Sequence, residues 1–346
     1  MPLASSVTRL LVLFLTCGGI LCAAADYKGA IVIDADTGRT IIEDNADVVS
    51  PPASVTKLMT FLIVHDRLAA GTLTLQTPVH VNAEASTTGG SQVYLAEKEV
   101  FPVEDMLYAL MISSANDAAA ALAIHVAGSR AAFVELMNAK ARELGMTHTT
   151  FRSPHGLPPA NRKIADGDLT SPRDLATLSR HLITQTDVIK YTEVKVRMFR
   201  PGPKQIEMRN HNNLLGKVAG VDGLKTGFTR GAGFCLAATA QRNGRRIIVV
   251  TMGSAESKVR DLAVADLIEK GFAALPAMPV LSIPGASPAP AAAAQAGTTK
   301  GVAPTRPATS PAPAPASGAS PVITPAPAAP ADEPPPVRFV LPGKKG

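Results

Sequence analysis

Ser54-Val55-Thr56-Lys57-Leu58-Met59-Thr60-Phe61-Leu62-Ile63-Val64 follows two prolines, Pro51 and Pro52, and no Gly or Pro recurs until Gly71. The prolines stiffen the approach, so the pattern predicts a helix over 54–70 with the serine in its first turn. Leu58, Phe61, Leu62 and Leu68 form one apolar face, yet Met59 and Ile63 lie off it. A helix apolar on several sides is expected to be buried. A hydroxyl in its first turn feels the positive end of the helix dipole, and a lysine three residues on shares its face. Ser54 and Lys57 can then act as nucleophile and base. Taken alone, an S-x-x-K pattern is far more often an N-capping serine beside a solvated lysine.

Outward from this stretch, residues 30–34 and 39–43, joined by Asp36-Thr37-Gly38, read as a β-hairpin. Beyond it, 79–101 is loop-rich, 103–112 is helical, Ser113-Ser114-Ala115-Asn116 interrupts, and 117–126 resumes as an alanine-rich helix. Residues 129–144 form another, stopped by Gly145, and Ser171-Pro172-Arg173-Asp174 carries the marks of a helix start. Two β-rich runs, 233–241 and 246–252, flank Asn243-Gly244, a strong hairpin signal, and 256–272 closes as a helix. Strands at both ends with helices between predict an α/β (α+β) domain whose terminal segments share one sheet.

The first 25 residues read as a secretory signal: Arg9, a mostly apolar run over 10–20, then Ala23-Ala24-Ala25. That run is shorter than the roughly 20 residues needed to span a bilayer. A mature chain starting near Asp26 is expected to work in the periplasm or cell envelope. Cys17 and Cys22 fall within the signal, and neither follows a small residue, which argues against lipid attachment. Cys235 is left alone, read as core, so neither a disulfide framework nor a zinc–thiolate cluster is expected. No histidine pair has metal-ligand spacing, and the histidines are read as structural or surface residues. No metal or cofactor is called for. The net charge of +6 is diffuse and the chain has no Trp, which argues against nucleic-acid binding. From Ala277 onward the composition turns to Pro and Ala, which suits a disordered tail over 277–346. The expected organisation is therefore a signal over 1–25, a catalytic domain over 26–276 and this tail.

Two further polar clusters stand downstream. Ser114-Ala115-Asn116 lies between helices, and Lys225-Thr226-Gly227 lies before the C-terminal hairpin. Each alone reads as a capping loop or a strand end. Together with Ser54 and Lys57 they give S-x-x-K, S-x-N and K-T-G in order, with serine and lysine steps of 60 (54 to 114) and 111 (114 to 225) residues.

With these motifs, and with Phe151-Arg152-Ser153-Pro154-His155-Gly156-Leu157 and Val221-Asp222-Gly223-Leu224 beside them, the chain over 26–275 resembles the low-molecular-mass penicillin-binding proteins, serine D-alanyl-D-alanine carboxypeptidases. The resemblance implies a β-lactamase/transpeptidase-like fold with the site between sheet and helical subdomain. It implies peptidoglycan stem peptides as substrates and β-lactams as covalent inhibitors. Ser54 would attack, Lys57 would be a neutral base tuned by burial and Lys225, and Ser114 would relay a proton to the leaving amine. Asn116 would hold the substrate amide and Lys57, and Lys225 with Thr226 would bind the terminal carboxylate. Gly227 and Phe228 complete that strand, with the N–H groups of Ser54 and Phe228 as oxyanion hole. Arg260 resembles an arginine the family uses near the carboxylate, with Arg230 as competitor.

Three alternatives remain open at this level. A D,D-endopeptidase would use the same set on cross-links, and a β-lactamase would need a carboxylate-activated water, for which Glu135 with Asn138 is the nearby candidate. The third is an envelope-binding scaffold acting through the tail. Known family members carry a β-rich domain and an amphipathic anchor after the catalytic part, whereas here Pro276 leads directly into the Pro/Ala tail. Membrane association is therefore left undecided.

Overall fold

The computed structural model describes residues 26–275; the signal and the tail read from the sequence lie outside the described residues. Strands β1 (Gly29–Asp34) and β2 (Thr40–Asp44) open the chain as a hairpin. A 3-10 turn over Ala53–Thr56 then runs into α1 (Lys57–Ala69). A second part follows with β3 (Pro78–His80), α2 (Ala83–Ser86), β4 (Val100–Pro102), α3 (Val103–Ile112), α4 (Asn116–Ala127) and α5 (Arg130–Glu143). Next come α6 (Pro172–Gln185), α7 (Val188–Thr192) and the hairpin of β5 (Val196–Phe199) and β6 (Ile206–Arg209). The chain returns to the first sheet with β7 (Val221–Thr229), β8 (Gly233–Arg242) and β9 (Arg245–Ser254), and α8 (Ser257–Ala274) closes it.

The main sheet is antiparallel in the order β2-β1-β9-β8-β7. The first and last strands in sequence therefore meet in its middle, Ile31 opposite Val250. Asn243 and Gly244 both take positive φ (49° and 75°), as the two-residue turn between β8 and β9 requires. Because successive residues alternate in direction, each central strand is apolar on both faces. Ala30, Val32, Leu236 and Val249 pack against Val264, Leu267 and Ile268 of α8. Ile31, Ile33, Cys235 and Val250 belong to the larger core on the opposite face, with α1, α3, α4 and α6. Residues 57–64 of α1 are all buried, so this helix threads the interior.

Caps agree with the residues that signalled them. The side chain of Ser129 accepts from Ala132 N–H at the start of α5, and Ser171 accepts from Asp174 N–H at the start of α6. Three readings need correction. Ser54 sits in a 3-10 turn rather than an α-helix. No side chain caps either that turn or α1. The interruption after α3 is one residue shorter than read, since Asn116 is already the first residue of α4.

Candidate active site

The 3-10 turn decides how Ser54 and Lys57 meet. With three residues per turn, positions i and i+3 eclipse, so the lysine stands directly over the serine. Lys57 Nζ lies 2.9 Å from Ser54 Oγ, 2.6 Å from Asn116 Oδ1 and 2.7 Å from the His155 carbonyl. Lys57 is fully buried and Ser54 is half-buried. Burial holds the lysine well below its ordinary pKa, and the charge on Lys225 adds to this against the opposing pull of Asp168 and Asp117. Two of its three neighbours, the Asn116 and His155 oxygens, only accept hydrogen bonds. A neutral amine has two N–H donors for them and one lone pair left for the Ser54 hydroxyl. In its neutral form Lys57 can accept the Ser54 proton across this 2.9 Å contact.

The surrounding loops fix this pair from a distance. Asp168 is buried and accepts from the Thr56 hydroxyl (3.0 Å), the Ser153 hydroxyl (2.9 Å) and the Arg152 and Ser153 N–H groups, clamping the 151–157 loop to the nucleophile turn. Within that loop Gly156 takes φ +83°, and a Cβ there would lie 1.9 Å from the Ala53 carbonyl oxygen. Asp117 in α4 accepts from Val93 and Leu95 N–H and so fastens the 88–95 loop. That loop in turn holds Asn116, whose side-chain NH₂ donates to Gly89 O and whose backbone N–H donates to Ser91 O. The Asn116 carbonyl end orients Lys57 and one of its two amide hydrogens goes to Gly89 O, which leaves the second hydrogen with no partner among the described residues.

On the other side, edge strand β7 turns its free edge to the 3-10 turn. A Cβ on Gly227 would lie 2.5 Å from Pro52 O and 3.0 Å from Ser54 N, so only glycine lets the strand approach the nucleophile this closely. Between them is a cleft of about 280 Å³ lined by Ser54, Ser114, Thr226, Gly227, Phe228 and Arg260, among others. Ser114 holds a left-handed backbone (φ 57°), and its buried hydroxyl has no hydrogen-bond partner. This backbone aims the hydroxyl into the cleft beside Ser54.

Arg260 is 3% exposed, pairs with Asp261 at 2.6 Å and faces this cleft, whereas Arg230 lines a neighbouring hollow. Lys225 does not line the cleft. It is 2% exposed and donates to the Thr226 carbonyl. Of the residues expected to meet a carboxylate, Thr226 and Arg260 line the cleft and Lys225 lies behind it. Burial and Arg260 push Lys225 down to about 7.

Local pattern did not reveal five of the cleft's residues, among them Phe234 and Ser257. Ser91 and Asn213 line it with no motif around them. His211 also faces it, contrary to the structural or surface reading, and is pushed down to about 4 by burial, Lys225, Lys57 and Arg260. His155 is buried, and it is its carbonyl that serves Lys57. Among the described residues no group of three or more His, Cys, Asp or Glu is placed to hold a metal ion.

A family model described as D-alanyl-D-alanine carboxypeptidase, peptidase S11, matches residues 22–256. The chain belongs to the D-alanyl-D-alanine carboxypeptidase family. It is 34% identical over 250 residues to the D-alanyl-D-alanine carboxypeptidase DacF of Bacillus subtilis, covering 72% of this chain and 63% of that one. To DacC of Escherichia coli it is 36% identical over 256 residues, covering 72% and 62%. The chain thus spans about three fifths of the length of these relatives. Among solved structures, penicillin-binding protein D2 of Listeria monocytogenes in an ampicillin-bound form superposes with a TM-score of 0.64 at 32% identity, over 72% of this chain and 99% of that one. The fold is accordingly the β-lactamase-like one of this carboxypeptidase family. In that setting Glu135 has no part in the cleft: it is exposed on α5 and lines a separate hollow, while Asn138 is bonded to the Phe151 backbone.

A stability test follows from Lys225. Its folded pKa lies below the unfolded one, so the unfolded chain binds the extra proton between about pH 7 and 10.5. Stability then rises with pH through that window, and the penalty is complete below it, at roughly 1.4 kcal/mol per unit. Lys225→Met is expected to raise Tm by roughly 5 °C at pH 6 and by less at pH 9, read by calorimetry. The same variant lets the Lys57 pKa rise, moving the acidic limb of acylation to higher pH. An unmoved limb would mean that burial alone tunes Lys57.

Proposed function

We propose that the chain is a serine D-Ala-D-Ala carboxypeptidase that trims peptidoglycan stem peptides. The observation carrying this reading is the buried Lys57 amine, 2.9 Å from Ser54 Oγ and with both N–H donors accounted for by Asn116 and His155. Ser54 Oγ attacks the carbonyl between the two terminal D-alanines while Lys57 takes its proton. The N–H groups of Ser54 and Phe228 receive the developing oxyanion, an element whose loss typically costs about 100- to 1,000-fold. Thr226 and Arg260 hold the terminal carboxylate, assisted by the charge on Lys225. As the C–N bond breaks, the proton passes from Lys57 by way of Ser114 to the leaving amine. Water then attacks the acyl-enzyme and gives a proton to Lys57, which passes it to Ser54 Oγ as the ester bond breaks, restoring both groups.

β-Lactams acylate the same serine, and among the described residues lining the cleft there is no carboxylate to speed release of the adduct. A long-lived penicillin adduct is expected, and rapid turnover would favour a lactamase. The signal-like residues 1–25 support export to the periplasm or cell envelope, with the Pro/Ala-rich 277–346 segment as a tether. Mass analysis of products from pentapeptide and cross-linked muropeptides tests the activity. Loss of one alanine is the expected result, and conversion of dimers to monomers without it would replace this reading with an endopeptidase.

A further inference from the structure

Lys57 is held from two directions: Thr56 precedes it in the chain, and the His155 carbonyl accepts from its Nζ at 2.7 Å. One buried group touches the supports on both sides. Asp168, 5% exposed, accepts from the Thr56 hydroxyl at 3.0 Å through Oδ2. The same oxygen accepts from the Ser153 hydroxyl at 2.9 Å, and Oδ1 accepts from the Arg152 and Ser153 N–H groups at 2.5 and 2.8 Å. The Ser153 hydroxyl oxygen in turn accepts from the Gly156 N–H at 2.8 Å, which closes a bracket around Pro154 and His155. Asp168 therefore joins the backbone that carries the amine to the bracket that carries the amine's acceptor.

Other ties keep the loop attached without Asp168. Thr60 in α1 donates to the Pro154 carbonyl at 2.5 Å, and Gly156 packs directly on the Ala53 carbonyl. Loss of Asp168 then disturbs alignment more than attachment. The carboxylate also carries charge, since four donors on its oxygens favour the ionised form against burial. The charged and titratable groups around Lys57 are Lys225 on β7, Asp117 on α4, Asp168, and His155 and His211 on loops. Lys225 disfavours a proton on the amine, and the two acids favour one.

We propose that Asp168 is a positioning residue for the general base: its hydrogen bonds align Lys57 on Ser54, and its negative charge offsets that of Lys225. The inference rests on the acyl-enzyme mechanism proposed above. Two variants separate the two roles. In Asp168→Asn the side-chain oxygen can serve both backbone N–H groups, and the NH₂ can donate to the Thr56 and Ser153 hydroxyls, which turn round to accept. The clamp is kept and the charge is lost, whereas Asp168→Ala loses both. Penicillin acylation and D-alanine release are measured on the full chain across pH 5–9. Asp168→Ala is expected to acylate about 10- to 100-fold more slowly, the scale of a misaligned catalytic group. Asp168→Asn is expected to keep the high-pH plateau to within about threefold and to move the acidic limb to lower pH, opposite to Lys225→Met. A merely structural residue would leave that limb in place. An unmoved limb in Asp168→Asn, an asparagine variant as slow as the alanine one, or a folded Asp168→Ala with the wild-type rate overturns the inference and leaves the mechanism standing. If Asp168→Ala does not fold, the plateau and limb of Asp168→Asn decide by themselves. A wild-type chain that neither takes up penicillin nor releases D-alanine overturns the mechanism, and the inference with it.

Discussion

Ser54→Ala is expected to abolish penicillin labelling and to lower D-alanine release by a factor on the order of 10⁶, the scale seen when the nucleophile is removed from a serine hydrolase. The substitution removes one atom. The Ser54 hydroxyl caps no helix, and its recorded side-chain contact is the one to Lys57. Lys57 keeps its bonds to Asn116 and His155, so the fold is expected to persist with a Tm within a few degrees of wild type. Activity and stability thus separate in this variant. Turnover at wild-type level in a folded Ser54→Ala protein would remove Ser54 as the nucleophile.

The second large effect concerns Lys57→Met. Methionine fills the buried channel that the lysine stem occupies but offers no lone pair to the Ser54 proton. Acylation is expected to fall by about 10²- to 10⁴-fold, the usual range for a general base. Its pH dependence should change too. In the wild type the rate rises with pH as Lys57 loses its proton at a pKa held low by burial and Lys225. The methionine variant should lose that limb. Stability should also drop, because Asn116 Oδ1 and the His155 carbonyl lose their donor, at about 1–3 kcal/mol for each orphaned acceptor. Stopped-flow acylation across pH 5–9 reads the rate, and urea unfolding reads the stability. A methionine variant with an unchanged acidic limb would place the base elsewhere.

Much of the fold could be read from local pattern. Residues 103–112 form α3 with the bounds expected, and Ser129, Ser171 and Asn243-Gly244 mark real caps and a real turn. These signals are local, arising from side chains and backbone groups a few residues apart. The β5–β6 hairpin and the five-residue α7 escaped notice because they are short. In β5 the exposed Val196 and Met198 and the buried Phe199 blur the alternation.

The site divides along the same line. Ser54 and Lys57 are three residues apart, so their proximity is a local matter, although the tighter 3-10 geometry that eclipses them was not visible. The bond from Asp168 to Thr56 spans 112 residues, and the contacts of Asn116 with Gly89 and Ser91 join a loop to a helix about 25 residues on. Nothing in either segment's own pattern announces such partners. His211 shows the same limit: a lone histidine carries no spacing, and only the return of the chain to β7 brings it to the cleft.

Arg260 and Lys225 illustrate how burial changes roles that the motifs suggest. Lys225 reads from the motif as a ligand to the carboxylate, yet it is enclosed, and its charge adds to the burial that lowers the Lys57 pKa. Burying two amines and a guanidinium around one cleft costs folding energy, and the same burial lowers the pKa of Lys57.

The most direct measurement is localisation of the penicilloyl group by tandem mass spectrometry after brief exposure of the intact chain to penicillin. One equivalent on the peptide containing Ser54, with fragment ions assigning the mass to Ser54 itself, is the expected result. An adduct on Ser114 or elsewhere, with Ser54 unmodified, would contradict the account.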